Sequence, residues 1–317
     1  MKKEFWWQRK DLGYREGSLC LGSTDLSSLA CSANSPFFAY HPPRVGEKIE
    51  GLRKALQSLP LPSRLFYALK SNRFAPLLTK MQALGPLGID ACSPRELLLA
   101  RQIGFAEKEI SFTSTSVSDA DLAVINRHPG VWLNCDSLSS IRRVGKSFPK
   151  RTIGLRINPG LGIGYSSHER LRYAGEKATK FGIYREDFEE ALSLAKKSGL
   201  RVGGLHVHAG CGYLNPQLPL WNELLAIVKS FVDQVPDLEV LNLGGGLGIP
   251  LVQGDEALDL ASWSASIARH FGGKGFEIWV EPGDYLVKDA GVLVLQVTSV
   301  ERKSGTLFVG VDGGFNL

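Results

Sequence analysis

The chain has 317 residues, 44% hydrophobic and 22% charged, an ordinary soluble composition with enough apolar material for one large α/β domain or two smaller ones. Its 37 basic and 32 acidic residues are interspersed, and the short basic clusters Lys196-Lys197 and Arg142-Arg143 lack interleaved aromatics, which argues against a nucleic-acid surface. No run approaches a membrane span and no apolar stretch follows Met1-Lys2-Lys3; the five cysteines lack a CxxC pair or metal-like spacing, so the expectation is a soluble, cytoplasmic protein with reduced thiols and no metal.

Residues 1–35 follow no repeating rhythm. From residue 36 one unit recurs: a short apolar run, a polar or glycine-rich loop, then an amphipathic stretch. The runs at 64–69, 87–91, 110–113, 131–134, 152–157, 202–207, 238–243 and 276–280 are expected as strands. The stretches at 75–84, 94–103, 117–126, 137–148, 186–197, 218–235 and 256–271 are expected as helices. Such alternation implies parallel strands joined by right-handed crossovers, and eight runs match a closed (β/α)8 barrel, the TIM barrel. An open doubly wound sheet would gather its functional residues at one crevice, whereas here polar residues mark nearly every strand end. Beyond residue 288, the segments 291–300 and 306–311 alternate and are rich in β-branched residues, the pattern of two strands. The expected organisation is therefore a barrel over 36–288 and a second, β-rich domain built from both chain ends, 1–35 and 289–317. Asp312-Gly313-Gly314 is a turn that should lead onward, so this second domain reads as incomplete at the C-terminus.

Barrels of this kind collect chemistry on the carboxyl side of their strands. In order, those positions hold Lys70, Asp90, Ser114, Asp136, Arg156, His208, Gly244-Gly245-Gly246 and Glu281. Lys70 ends an apolar run. A lysine there either snorkels to water or offers a partly desolvated amine with a lowered pKa, suited to a Schiff base. The glycine triplet follows a strand, where backbone without Cβ atoms lets amides approach a phosphate. A structural turn is the plainer alternative, and a dinucleotide reading lacks its acidic ribose contact. Alternation puts His206 and His208 on one side of their strand, without a third metal ligand at suitable spacing. His208 is placed to pack over a planar cofactor, and His206, deeper, reads as a core histidine. Glu281 precedes a Pro-Gly turn, and a carboxylate there needs a partner, either a loop cation or a protonated ring nitrogen. Lys70 for an aldehyde, glycine amides for a phosphate, His208 for a ring face and Glu281 for a ring nitrogen together describe pyridoxal 5'-phosphate.

Four segments extend the pattern: Tyr67-Ala68-Leu69-Lys70-Ser71-Asn72, Asp90-Ala91-Cys92-Ser93-Pro94-Arg95-Glu96, Arg156-Ile157-Asn158-Pro159 and Lys180-Phe181-Gly182. With them the chain, from about residue 20 onward, resembles the alanine-racemase-fold (fold type III) pyridoxal phosphate decarboxylases, the group of diaminopimelate, ornithine and arginine decarboxylases. The resemblance implies Lys70 as the Schiff-base lysine, with Lys70, His208 and Glu281 catalytic. It places Asp90, Arg156, Cys211 and Gly244 to Gly246 around the cofactor. It also implies α-decarboxylation of an amino acid, a small-molecule substrate, by a homodimer with shared active sites. Racemisation on the same cofactor, or a non-catalytic pyridoxal-binding relative, remain alternatives on one fold. Three positions depart from the family pattern. Cys211 stands where the family has the serine of His-x-Gly-Ser, and a thiol is a weak donor, so phosphate binding should lean on Gly245 and Gly246. Asp284 stands where the family's Glu-Pro-Gly-Arg has its arginine. Facing the pocket, it would favour a substrate with a basic or neutral distal end over meso-diaminopimelate; turned outward, it would pair with a cation such as Lys288. The family's Cys-x-x-x-Asp segment and later tyrosine, which complete the neighbouring subunit's site, are absent.

Overall fold

The computed structural model describes residues 5–164 and 178–315; the outermost ends of the two expected β segments, 1–4 and 316–317, lie outside the described residues. The chain opens with a three-stranded antiparallel sheet of β1 (Leu12–Arg15), β2 (Ser18–Leu21) and β3 (Thr24–Asp25), followed by α1 (Leu26–Ser32), β4 (Phe37–Tyr40) and α2 (Pro42–Gln57). The sequence reading assigns no helix to the α2 stretch. Pro42 and Pro43 preset its first turn, and Val45, Ile49, Leu52 and Leu56 form a buried stripe along it.

The repeating units then follow as β5 (Ser63–Ala68), α3 (Ala75–Gln82), β6 (Gly88–Ala91), α4 (Pro94–Ile103), β7 (Ile110–Thr113), α5 (Asp119–Asn126), β8 (Trp132–Cys135) and α6 (Leu138–Ser147). The series continues with β9 (Thr152–Arg156), α7 (Arg185–Lys197), β10 (Arg201–His206), α8 (Leu218–Val232), β11 (Val240–Asn242), α9 (Leu260–Phe271) and β12 (Glu277–Val280). Strands β5 to β12 pair in parallel in chain order, and β12 returns to β5 through Ile278 opposite Ser63, closing the expected eight-stranded barrel. Several helices are shorter than the periodicity suggests, α8 and α9 most of all. Asp259 caps α9 by accepting from the Ala261 amide, and α8 ends ahead of Pro236, which disfavours helical backbone before it.

The barrel interior is layered. At its base Phe66, Trp132 and Trp279 form an aromatic floor, with ring centroids 4.5 Å apart for Phe66–Trp279 and 5.4 Å for Trp132–Trp279. Gly204 makes room for it, since a Cβ there would lie 2.5 Å from Trp132 Cζ2. Above the floor lies a buried polar layer of Ser111, Asn134, His206, Asn242 and Glu281. Asn134 Nδ2 donates to Thr113 Oγ1 at 2.9 Å, so this layer is knitted together internally.

After the barrel come α10 (Asp284–Val287), β13 (Gly291–Val294), β14 (Val297–Lys303) and β15 (Thr306–Val311). The expected single strand 291–300 is divided at Leu295-Gln296 because its halves have different partners: β13 pairs with β4, and β14 with β15. The β4–β13 ladder, with Tyr40 opposite Gly291, joins the two chain ends. An ion pair anchors this seam to the barrel, with Arg44 Nη2 2.7 Å and Lys48 Nζ 3.4 Å from Asp289 Oδ2. Among the described residues no helix is long and apolar enough to cross a membrane.

Candidate active site

One cavity at the carboxyl ends of the strands is lined by Lys70, Asp90, Arg156, His206, His208, Cys211, Gly245, Gly246, Glu281 and Asp284. Residues spread over two hundred positions of sequence meet there because each ends a barrel strand or lies just past one.

Beyond β5 the backbone tightens into a short 3-10 turn, Leu69–Ser71, which lifts Lys70 over the barrel rim. The turn is fixed by Tyr67 Oη donating to the Asn72 carbonyl at 3.0 Å and by Asn72 Nδ2 donating to Tyr40 Oη at 3.1 Å. Lys70 is exposed in the cavity mouth, so the desolvation expected of its amine is not observed. The 3-10 turn is the physical reason: it carries the side chain past the wall that would have buried it.

Asp90 and Glu281 are both buried in the cavity, and their environments differ. Glu281 Oε2 lies 3.0 Å from His206 Nε2, its Oε1 accepts from Asn242 Nδ2 at 2.5 Å, and Ser111 adds a third hydrogen bond. Burial pushes the Glu281 carboxyl up, but His206 and these donors outweigh it and hold the group below its usual range. Among the described residues Asp90 Oδ1 has no hydrogen-bond partner, and burial followed by the charge of Glu281 pushes Asp90 well above its usual value. The two carboxyl groups are thus driven in opposite directions, Glu281 toward the ionised form and Asp90 toward the protonated one. His208 is driven well below its usual pKa by burial and by the cations Lys70 and Arg156, which leaves a neutral ring. Arg156 sits with its guanidinium 4.8 Å above the Phe181 ring, and Asn158 Nδ2 donates to the Phe181 carbonyl at 2.6 Å. The Lys180-Phe181-Gly182 segment therefore packs against Arg156.

The glycine turn runs close against its neighbours. A Cβ on Gly245 would come 2.3 Å from the Glu281 carbonyl oxygen, and one on Gly246, at φ +97°, 2.4 Å from that of Gly210. Among the described residues the Gly245 and Gly246 amides have no backbone acceptor. Close packing and free donors coexist in this turn, the second as a phosphate requires. Cys211 is exposed at the same rim, its Sγ 3.8 Å from His208 Nε2. Asp284 opens α10 at the cavity mouth, half-exposed, with Oδ2 3.6 Å from Lys288 Nζ. It combines the two expected orientations, lining the pocket and pairing with Lys288.

Ser114 and Asp136 are not brought to this site. They line a separate serine-rich cavity between β8, α5 and α6. His206 is the buried, hydrogen-bonded core histidine expected, but its partner is Glu281, so it also belongs to the site, and Asn242 and Ser111 enter beside it. Their signal lies in barrel order: His206 and Asn242 are register partners on β10 and β11, next to the strand that ends at Glu281. The set fits pyridoxal phosphate. An accessible amine, free amides, a neutral ring and an ionised carboxylate occupy one cavity.

Comparison with known proteins agrees. Residues 45–288 match the family described as pyridoxal-dependent decarboxylase, pyridoxal binding domain. The chain is 32% identical over 312 residues to a diaminopimelate decarboxylase of Methanothermobacter thermautotrophicus, covering 95% of this chain and 72% of that one. It is 30% identical over 276 residues to diaminopimelate decarboxylase of Escherichia coli K12, covering 84% of this chain and 64% of the relative's length. Among solved structures, diaminopimelate decarboxylase from Helicobacter pylori complexed with L-lysine superposes with a TM-score of 0.80 at 26% identity, covering 92% of this chain and 74% of that one. Lysine decarboxylase from Selenomonas ruminantium shares the fold, with a TM-score of 0.79 at 21% identity, covering 93% and 74%.

Proposed function

We propose that this chain, which belongs to the pyridoxal-dependent decarboxylases, removes the α-carboxyl group of an amino acid bearing a distal amine, with the cofactor held on Lys70. The observation that carries the reading is the meeting of Lys70, His208, the Gly245-Gly246 amides and ionised Glu281 in one cavity. When bound, pyridoxal phosphate supplies an electron sink for the pair left behind as carbon dioxide departs. The protein's part is positional and electrostatic. Lys70, exposed in the mouth, can exchange places with a substrate amine. Glu281 offers a charged acceptor that keeps a proton on the ring nitrogen. His208, neutral, presents a flat face without repelling a cationic ring. Arg156 and Asp90, whose carboxyl is pushed up by burial and by Glu281, complete the wall of the cavity.

The distal amine is the group common to both indications of specificity. The relatives above are named for diaminopimelate, which carries an amine and a carboxylate at its far end. Asp284 attracts the amine and opposes the carboxylate, while Lys288 at 3.6 Å offsets part of that opposition. The finer expectation, carried by Asp284, is that lysine or ornithine binds more tightly than meso-diaminopimelate. The same reading includes a cytoplasmic homodimer with shared sites and a second β domain drawn from residues 1–35 and 289–317, with the β4–β13 ladder beside it. Incubating the full-length protein with a panel of amino acids and following carbon dioxide and amine by mass spectrometry tests the activity. Loss of chirality without loss of mass would indicate racemisation instead, and binding without either change a non-catalytic relative.

A further inference from the structure

Glu281 is reached by donors from three strands, β7, β10 and β11, and the one from β10 is a titratable ring. His206 and Glu281 are 3% and 4% exposed, and His206 Nε2 lies 3.0 Å from Glu281 Oε2. A carboxylate only accepts, so the contact requires the proton on Nε2. The other ring nitrogen, Nδ1, is buried with no hydrogen-bond partner among the described residues. A bare lone pair is tolerated there far better than an orphaned N–H, still less one carrying part of a positive charge. With Glu281 ionised, this geometry selects one form of the ring, neutral and protonated at Nε2. The charged and titratable groups around it agree: Lys70, Arg156 and burial oppose a charge on His206, Glu281 favours one, and the opposing influences prevail. The remaining neighbours are His208, at the end of the same strand, and Asp90 on β6.

The two buried carboxyl groups are not equivalent in this setting. Glu281 gathers His206, Asn242 and Ser111, whereas among the described residues Asp90 Oδ1 has no partner. With the His206 donor removed, or its proton moved to Nδ1, Glu281 would lose its most buried ring partner and the distinction from Asp90 would narrow. We propose that His206 is a positioning residue, a neutral imidazole with its proton on Nε2 that orients Glu281 and makes it, rather than Asp90, the carboxylate available to the cofactor's ring nitrogen. It acts through Glu281 and does not itself touch substrate. The inference deepens the reading of Glu281 given above and rests on it.

The test has two parts. Nitrogen-15 NMR of histidine in the cofactor-free, full-length protein reads the tautomer directly. Above about pH 6.5 His206 should be neutral with its proton on Nε2; a ring protonated on Nδ1, or on both nitrogens, in that range overturns the proposal whatever the variants do. The second part compares His206→Phe, which removes the donor, with His206→Gln, whose amide nitrogen can replace Nε2. Equilibrium dialysis should show cofactor binding weakened on the order of tenfold in His206→Phe and largely restored in His206→Gln, as for a hydrogen bond to a charged group. The pH midpoint of the bound cofactor's absorption spectrum should shift in the first variant and return in the second. A folded His206→Phe protein with unchanged affinity and unchanged midpoint would refute the assignment, and should that variant not fold, the tautomer measurement still decides. Failure of the cofactor to attach to Lys70 at all would undo the proposed function without altering the NMR outcome, so the two failures are distinguishable.

Discussion

The floor and the mouth of the barrel are built from the same strands and share almost no chemistry. Trp279 on β12 faces the floor and Glu281, just past the strand's end, faces the site; on β10 Gly204 underlies Trp132 while His206, and His208 beyond the strand's end, rise toward the mouth. The floor is closed by three aromatics in tilted and edge-on contact and by Arg64, whose guanidinium lies 5.3 Å from the Trp279 ring and 5.4 Å from the Phe66 ring. Its cohesion is packing and tolerates no void. The mouth carries charge, exposed lysine and free amides, which packing alone would not select. Between them the polar layer of Ser111, Asn134, His206, Asn242 and Glu281 is kept from water below by the floor and must satisfy itself sideways. The contrast teaches where stability and chemistry part company on a single strand: two residues of rise exchange one for the other.

Truncating the floor should have the largest effect, and it should fall on folding. Trp279→Ala removes the ring that touches both other aromatics, and denaturant unfolding should show a loss of about 3–5 kcal/mol. The folded fraction should still attach cofactor. A loss below about 1 kcal/mol would mean that the floor is not the packed layer described here.

The converse substitution in the mouth should spare the fold. Glu281→Gln keeps the shape and the neighbours of the side chain but removes the charge, so turnover should fall about 100-fold or more. Its unfolding midpoint should stay near that of the unmodified protein, and cofactor should still attach to Lys70, with affinity lowered at least as far as in His206→Phe. Unchanged turnover would show that the carboxylate serves structure alone.

Acidification should sharpen the same boundary. His206 and His208 both have pKa values lowered from the ordinary 6.5 by burial, so the unfolded chain takes up protons before the folded one does. Their contribution is present above about pH 6.5 and is lost as the pH falls toward the folded values. Asp90 works in the opposite sense, its raised pKa favouring the folded state at low pH and less so as pH rises through it. Unfolding midpoints of the cofactor-free protein should therefore fall between about pH 6.5 and 5, and His208→Phe should flatten that slope. An unaltered slope in this variant would place the acid sensitivity elsewhere.

The smallest effect concerns the rim. Cys211→Ser exchanges a weak donor for a hydroxyl beside the glycine turn, and cofactor affinity should rise a few-fold, about 1 kcal/mol or less. Titration of the cofactor-free protein with pyridoxal phosphate measures it, and a weaker variant would remove Cys211 from the phosphate end of the cavity.

Much of this division was legible in the sequence. Buried parallel strands are continuous apolar runs, so all eight barrel strands and their order could be read from composition and spacing. The strand-end rule then located Lys70, His208 and Glu281. What it missed depends on neighbours rather than on local pattern. His206 and Asn242 become partners of Glu281 because β10, β11 and β12 are adjacent and in register. The break between β13 and β14 is likewise set by their pairing with β4 and β15. Helix α2 precedes the first repeat, and strands of four, four and two residues at the start of the chain are too short to show a period. The exposure of Lys70 follows from a three-residue turn whose geometry no apolar run encodes.

The central claim is that the mouth is organised around a cofactor carried by Lys70. Borohydride reduction of the full-length protein loaded with pyridoxal phosphate, followed by peptide mapping, tests it most directly. The account predicts the reduced label on Lys70 and none on a Lys70→Ala protein; a label on another lysine, with Lys70→Ala still retaining cofactor, would contradict it.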